Sequence, residues 1–173
     1  MLRSKRWKGN ADMSLVQLGL YLSACMAAAA TGILFQPGPW YDALRKPSWT
    51  PPRWAFPVAW TILYVMIAVA AARVAGLPAS GTALALWSVQ IALNTLWTPV
   101  FFGARRLRTG MIVIAALWLT VLALIVTAFG LDWVAGLVLV PYLIWLSFAA
   151  ALNFWLWRNN PAPQGRTGPE DVA

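Results

Sequence analysis

Uncharged polar side chains interrupt several long apolar runs of this sequence, and they are the first candidates for chemistry or binding. They are Thr61, Gln90, Asn94, Thr98 and Asn153. Polar residues inside an apolar span either mark a functional site or form hydrogen bonds between helices. None of these residues ionises, whereas a pump or a proton-coupled carrier needs an ionisable relay. The set therefore favours ligand binding or helix packing over proton-coupled transport.

Aromatic residues share helical faces with these amides, at spacings of three and four residues. One apolar run carries Trp87, Ile91, Asn94 and Thr98 on a single face. Another carries Tyr142, Trp145, Ala149 and Asn153, and a third carries Trp60 and Tyr64. If the three faces meet, they form an aromatic cavity with one or two amide groups. Such a cavity suits a large, flat, mostly apolar ligand.

We expect the stretch from Pro37 to Trp60 to cover that cavity. It contains six of the twelve prolines and four of the twelve tryptophans. Proline lacks an N–H group and disfavours the helical region for the residue before it, so Lys46-Pro47 and Thr50-Pro51-Pro52 cannot belong to a regular helix. We expect residues 36–54 to form a lid that folds over the helix ends and buries its rings there. The lid residues singled out are Trp40, Trp49, Pro51 and Pro52.

The elements that position these groups are membrane helices. The chain of 173 residues is 61% hydrophobic and 10% charged, whereas about a quarter of the residues in a soluble domain are charged. Its apolar runs predict an all-α membrane protein, a bundle of five transmembrane helices with the lid between the first two. The predicted helices cover about 14–35, 55–73, 81–102, 110–129 and 133–157. Residues 1–13 form a basic arm and residues 159–173 a disordered tail.

The first run also resembles a lipoprotein signal, with Cys25 as the modified residue or with cleavage after the small residues 28–30. The run continues past Cys25 to the length of a full span, so we expect an uncleaved helix. The Lys and Arg residues number eight on the lid side and five on the other side, which predicts a cytoplasmic lid and carboxyl terminus. A start at Met13 instead of Met1 would widen that difference.

Composition excludes several classes of function. The sequence has no histidine and one cysteine, which removes the commonest metal ligand, the usual haem ligand and the usual proton shuttle. We expect no metal site and no required cofactor. The net charge of +8 is spread over loops and ends, so it indicates contact with membrane lipids and not with nucleic acid. The acids lie in loops and tails and no enzyme motif is present, so no catalytic residue is predicted.

A stripe of small residues lies on the opposite face of the third predicted helix. It consists of Gly81, Ala85, Ser88 and Ala92. Small side chains let two helix backbones approach closely. The partner is either a neighbouring helix of the same chain or a second subunit, and we expect a homodimer.

Several motifs in this sequence resemble the translocator protein/tryptophan-rich sensory protein (TspO/MBR) family. They are Trp40-Tyr41-Asp42-Ala43-Leu44, Lys46-Pro47-Ser48-Trp49-Thr50-Pro51-Pro52, Phe56-Pro57-Val58-Ala59-Trp60-Thr61, Asn94-Thr95-Leu96-Trp97-Thr98-Pro99, Phe101-Phe102-Gly103 and Pro141-Tyr142-Leu143-Ile144-Trp145. The resemblance runs from about Leu15 to Arg158 and is closest to a bacterial member. It implies a multi-pass protein of the bacterial inner membrane.

The resemblance further implies a dimeric five-helix bundle that binds tetrapyrroles such as protoporphyrin IX and haem and regulates tetrapyrrole metabolism or a stress response. Positions that match the family's ligand pocket are Tyr41, Trp60, Asn94, Trp97, Trp145 and Ala149. Sterol-like ligands are a second class of partner that the resemblance implies. The family's sterol pattern requires a Tyr near the end of the last helix, and the segment 152–158 has none.

Three functions are compatible with this pocket. The protein could be a receptor or sensor that binds porphyrins, a tetrapyrrole transporter, or an enzyme that degrades protoporphyrin IX under light with tryptophans as redox partners. The first is our leading hypothesis.

Overall fold

The computed structural model describes residues 14–160, and every regular element in that range is helical. The elements are α1 (Leu15–Leu34), α2 (Pro39–Ala43), α3 (Ala55–Val74), α4 (Gly81–Thr98), α5 (Leu107–Leu131) and α6 (Trp133–Asn159). A π-helical turn, Pro99–Gly103, continues α4. The predicted basic arm and the tail beyond residue 160 lie outside the described residues.

Five of these elements are long and apolar enough to cross a membrane, with lengths of 20 to 27 residues once the π-turn is added to α4. Only α2, in the lid, is short. The predicted all-α bundle of five membrane helices is confirmed, and the chain is a multi-pass membrane protein.

The five long helices form a closed ring in the order α1, α3, α6, α5, α4, since each packs on the next and α4 packs again on α1. The antiparallel pair α5 and α6 is the most closely packed, as expected from the single residue, Asp132, that separates them. Alternation of direction places the lid, the π-turn and the end of α6 on one side of the bundle. The lid therefore has α4, α5 and α6 within reach.

Asp132 closes the opposite side of the bundle. Its carboxylate accepts hydrogen bonds from the N–H groups of Val134 at 2.8 Å and Ala135 at 3.1 Å, which caps α6. It also pairs with the Arg73 guanidinium at the end of α3, at 2.7 Å. Burial raises the pKa of the Asp132 carboxyl, but these N–H donors and Arg73 outweigh burial, so the pKa lies below its ordinary value.

The structure differs from the prediction at the start of α5 and within the lid. The helix expected at 110–129 begins at Leu107, because the basic loop before it is only three residues long. The lid contains the short helix α2, which the density of prolines concealed. Pro39 occupies its first turn, where a missing N–H is harmless.

The lid buries fewer of its rings than predicted. Tyr41 is buried and Trp40 half-buried, but Trp49 and Trp54 are 45% and 68% exposed. The Trp49 ring contacts Phe148 edge-on, and the rest of its surface is exposed. Trp54 lies at the start of α3, a position at which aromatic residues commonly meet the membrane interface. Among the lid prolines, Pro51 is half-buried and Pro52 exposed.

Candidate functional site

Aromatic rings from α3 and α6 meet beside α4, as the shared faces predicted. The Trp60 ring lies 5.3 Å from that of Tyr64 on the same helix and 6.1 Å from that of Tyr142 on α6. Both contacts fall within the range in which aromatic pairs attract one another. The predicted Trp60 is therefore held against the centre of the bundle.

A chain of hydrogen bonds crosses the bundle behind Trp60. Tyr64 Oη donates to Asn94 Oδ1 at 2.9 Å, and Asn94 Nδ2 donates to Tyr142 Oη at 2.9 Å. Tyr142 Oη in turn donates to Gln90 Oε1 at 3.0 Å. All four residues are buried, and they join α3, α4 and α6. Asn94 thus combines a predicted place in the pocket with a structural role between helices.

The π-turn builds a second aromatic group beneath the lid. Trp97 on α4 stacks on Phe101 with ring centroids 4.7 Å apart, and Phe102 meets the Trp97 ring edge-on at 5.9 Å. The lid residue Tyr41 packs on Phe102 at 5.4 Å and on Phe101 at 6.3 Å. Tyr41 and Trp97, both predicted site residues, are therefore connected through the two phenylalanines of the π-turn.

Trp145 lies on the remaining side, facing the start of α3. Its ring is 5.9 Å from Phe56 and 5.7 Å from Phe148. The Phe148 ring also contacts that of the lid residue Trp49, with ring centroids 5.5 Å apart. Ala149, four residues beyond Trp145, is half-buried in the same apolar cluster as Trp60, Trp97 and Trp145.

Three buried N–H donors in this region have no acceptor among the residues that the structure describes. They are Gln90 Nε2, Trp97 Nε1 and Trp145 Nε1. A buried donor without a partner is uncommon in folded proteins and calls for an explanation. Two of the three are on predicted pocket residues, so the region offers donors to a ligand that presents acceptors.

Lid residues outside the pocket reinforce the position of Tyr41. Lys46 Nζ lies 4.7 Å from the centre of the Tyr41 ring and donates to the Asp42 carbonyl at 3.0 Å. Arg53 forms an ion pair with Asp42, which raises the pKa of the Arg53 guanidinium. Burial raises the pKa of the Tyr41 phenol, so this ring is neutral at physiological pH.

The structure places Trp60 and Asn94 beside Tyr142, Tyr41 and Trp97 around the π-turn, and Trp145 beside Phe56. It also adds residues that sequence reasoning left out of the site. The additions are Phe56, Phe101, Phe102 and Phe148. Gln90, Tyr64 and Tyr142 were expected from the sequence, as a polar candidate and as members of the shared faces, and they join the site through hydrogen bonds. The orientation of Phe102 depends on the π-turn, which the sequence did not predict.

The small-residue stripe faces away from this region. Gly81, Ala85, Ser88 and Ala92 are all exposed, while Ala83, Trp87, Gln90 and Asn94 form the buried face of α4. No helix of the described chain covers the stripe. A neighbouring helix of the same chain, one of the two partners considered from the sequence, therefore does not pack on it.

Residues 19–158 match the TspO/MBR family. The chain is 54% identical to protein CrtK of Rhodobacter capsulatus, over 86% of this chain and 96% of that protein. It is 53% identical to a tryptophan-rich sensory protein of Cereibacter sphaeroides, over 81% of this chain and 89% of that protein. It is 34% identical to the human translocator protein, over 73% of this chain and 78% of that protein.

Proposed function

The chain belongs to the TspO/MBR family of membrane sensor and translocator proteins, and from this premise we propose that it is a receptor for porphyrins. The ligands are protoporphyrin IX and haem, bound in the aromatic region beneath the lid. Binding would report tetrapyrrole levels and so regulate tetrapyrrole metabolism or a stress response. The observation that carries the proposal is the pair of buried indole N–H groups, on Trp97 and Trp145, that lack acceptors among the described residues and lie among aromatic rings.

The apolar part of the argument concerns the shape of the ligand. Trp60, Trp97 and Trp145 come from three helices, and each packs against another aromatic ring. Such surfaces suit the flat face of an aromatic ligand. Each aromatic pair adds about 0.5–1.5 kcal/mol beyond the area that it buries. A tetrapyrrole has the large aromatic face that such a site rewards.

The polar part concerns the edge of the ligand. The indole N–H groups of Trp97 and Trp145 need acceptors, and the carboxylates of a porphyrin are acceptors. The chain has no histidine to bind iron, so the ring has to be held by burial and by these hydrogen bonds. Metal-free protoporphyrin IX should therefore bind about as well as haem.

Binding requires the lid to move. Tyr41 is 7% exposed and its ring is in contact with Phe101 and Phe102, which in turn contact Trp97. A porphyrin that stacks on Trp97 beneath the lid has to separate these rings. We expect the lid to control access to the site.

Titration of protoporphyrin IX against tryptophan fluorescence, in detergent and in nanodiscs, tests the proposal. Trp60→Ala and Trp145→Ala should each weaken binding about tenfold or more, because each removes a large contact face. Trp145→Phe keeps a ring and removes the N–H, and should weaken binding less, by about 0.5–1.5 kcal/mol. Asn94→Ala should have an effect of the same size.

Trp133→Ala is the matched control, because Trp133 is 67% exposed at the far end of α6. Its affinity should equal that of the wild type. Equal affinity in the wild type and in both alanine variants of the pocket would refute the site. Binding of haem without binding of protoporphyrin IX would refute attachment without iron coordination.

Two further proposals concern the assembly and its placement. We propose that the exposed stripe on α4 joins two subunits, because no helix of the described chain covers it. We also place the lid and the end of α6 on the cytoplasmic side of the inner membrane, since the lid side has the larger number of Lys and Arg residues. A periplasmic signal from a reporter fused to the carboxyl terminus would contradict that orientation.

A further inference from the structure

The side chain of Asn160, at the end of the last helix, is hydrogen-bonded to the lid backbone. Its Oδ1 atom accepts a hydrogen bond from the Arg45 backbone N–H at 2.8 Å, and its Nδ2 atom donates to the Arg45 carbonyl at 3.1 Å. The two residues are separated by 115 positions in the sequence. These bonds are the connection between the lid backbone and the end of α6.

A carboxamide matches this contact. The Arg45 backbone offers one donor N–H and one acceptor carbonyl, and the Asn160 side chain presents the complementary acceptor and donor on its two terminal atoms. The second hydrogen of Asn160 Nδ2 donates to the Leu156 carbonyl at 2.9 Å, so the side chain is also fixed to its own helix. Asn160 is therefore a rigid extension of α6 that is shaped to hold one residue of the lid.

Arg45 is well placed to transmit this restraint. It follows α2, which carries the buried Tyr41, and it precedes Lys46, whose ammonium group lies over the Tyr41 ring. Pro47, the next residue, is buried. Fixing the backbone at Arg45 therefore fixes the segment that presses Tyr41 onto the phenylalanines of the π-turn.

We propose that Asn160 is the latch of the lid and that its two bonds to Arg45 set how often the lid opens. The carboxyl-terminal end of α6 then controls access to the pocket without touching the ligand. The kinetic consequence for porphyrins rests on the proposed function, whereas the mobility of the lid does not.

Hydrogen exchange of a peptide that contains Arg45, measured on the full chain in nanodiscs without ligand, tests the latch itself. Asn160→Ala removes both bonds and should raise the exchange rate of the Arg45 amide about tenfold, the change expected for two exposed neutral hydrogen bonds. Asn160→Asp keeps an acceptor and loses the donor, and should give a smaller increase. Asn159→Ala is the matched control, because Asn159 donates only to Trp155 of its own helix.

An unchanged exchange rate at Arg45 in both Asn160 variants would overturn the latch, whether or not porphyrin binds. The dissociation rate of protoporphyrin IX tests the control of access. It should rise about tenfold in Asn160→Ala and stay unchanged in Asn159→Ala. Faster exchange at Arg45 with an unchanged dissociation rate would overturn the role of this latch in ligand release and leave the proposed pocket intact.

Discussion

Removal of the Tyr142 hydroxyl should destabilise the bundle more than removal of the Tyr64 hydroxyl. Tyr142 Oη is in the middle of the buried chain, where it accepts from Asn94 and donates to Gln90. Tyr142→Phe therefore leaves one donor and one acceptor unpaired in the bundle interior. Tyr64 is at the beginning of the chain, so Tyr64→Phe leaves only the Asn94 oxygen unpaired.

The magnitudes follow from that count. Hydrogen bonds between membrane helices contribute about 0.6 kcal/mol on average and up to about 1.7 kcal/mol, and a buried group left unpaired costs about 1–3 kcal/mol. We expect a loss of about 2 kcal/mol in the free energy of unfolding for Tyr142→Phe and about 1 kcal/mol for Tyr64→Phe. Both substitutions keep the ring, so the contacts with Trp60 remain.

Unfolding of the purified protein by a denaturing detergent, followed by circular dichroism, measures these free energies. Tyr21→Phe is the control, because the Tyr21 ring meets Trp87 edge-on and that contact survives the change. The double variant Tyr64→Phe/Tyr142→Phe should lose less than the sum of the single losses if both hydroxyls act through Asn94. Equal losses for the two single variants would refute the count of unpaired groups.

Two other predictions concern the Asp132 carboxylate and the small-residue stripe on α4. Folding lowers the pKa of Asp132, so its stabilising effect is complete above the unfolded value of about 3.9 and is lost as the pH falls through the folded value. Asp132→Asn keeps the helix cap and loses the ion pair with Arg73, so the free energy of unfolding should fall by at most about 1 kcal/mol at neutral pH, with a smaller acid-induced fall in denaturation experiments. Ala85→Phe and Ala92→Phe should hold two subunits apart and abolish the crosslinked dimer in membranes. Ala123→Phe, at an exposed alanine of α5, is the control and should leave the dimer intact. A dimer that persists in both stripe variants would place the interface elsewhere.

Membrane helices and their inward faces could be predicted because both depend on local patterns. The length of an apolar run determines a span, and spacings of three and four residues placed Trp60, Asn94 and Trp145 on faces that the structure brings together. The small-residue stripe on α4 could also be identified from its spacing, but only the fold shows that no helix of the described chain covers it.

Features that depend on distant pairs were not predictable from these patterns. The ion pair between Arg73 and Asp132 and the bonds between Arg45 and Asn160 require knowledge of which helix ends meet. The direction of the hydrogen-bond chain likewise depends on how α3, α4 and α6 are arranged. The exposure of Trp49 and Trp54 was missed because proline-rich segments give no periodicity from which to identify a buried side.

The π-helical turn at Pro99–Gly103 makes the length of this segment important as well as its composition. A π-turn accommodates one more residue than an α-helical turn, and each residue rotates an α-helix by about 100°. Deletion of one residue would let the segment return to α-helical geometry and would turn Phe101 and Phe102 away from Tyr41. Related sequences should therefore align across this turn without a gap.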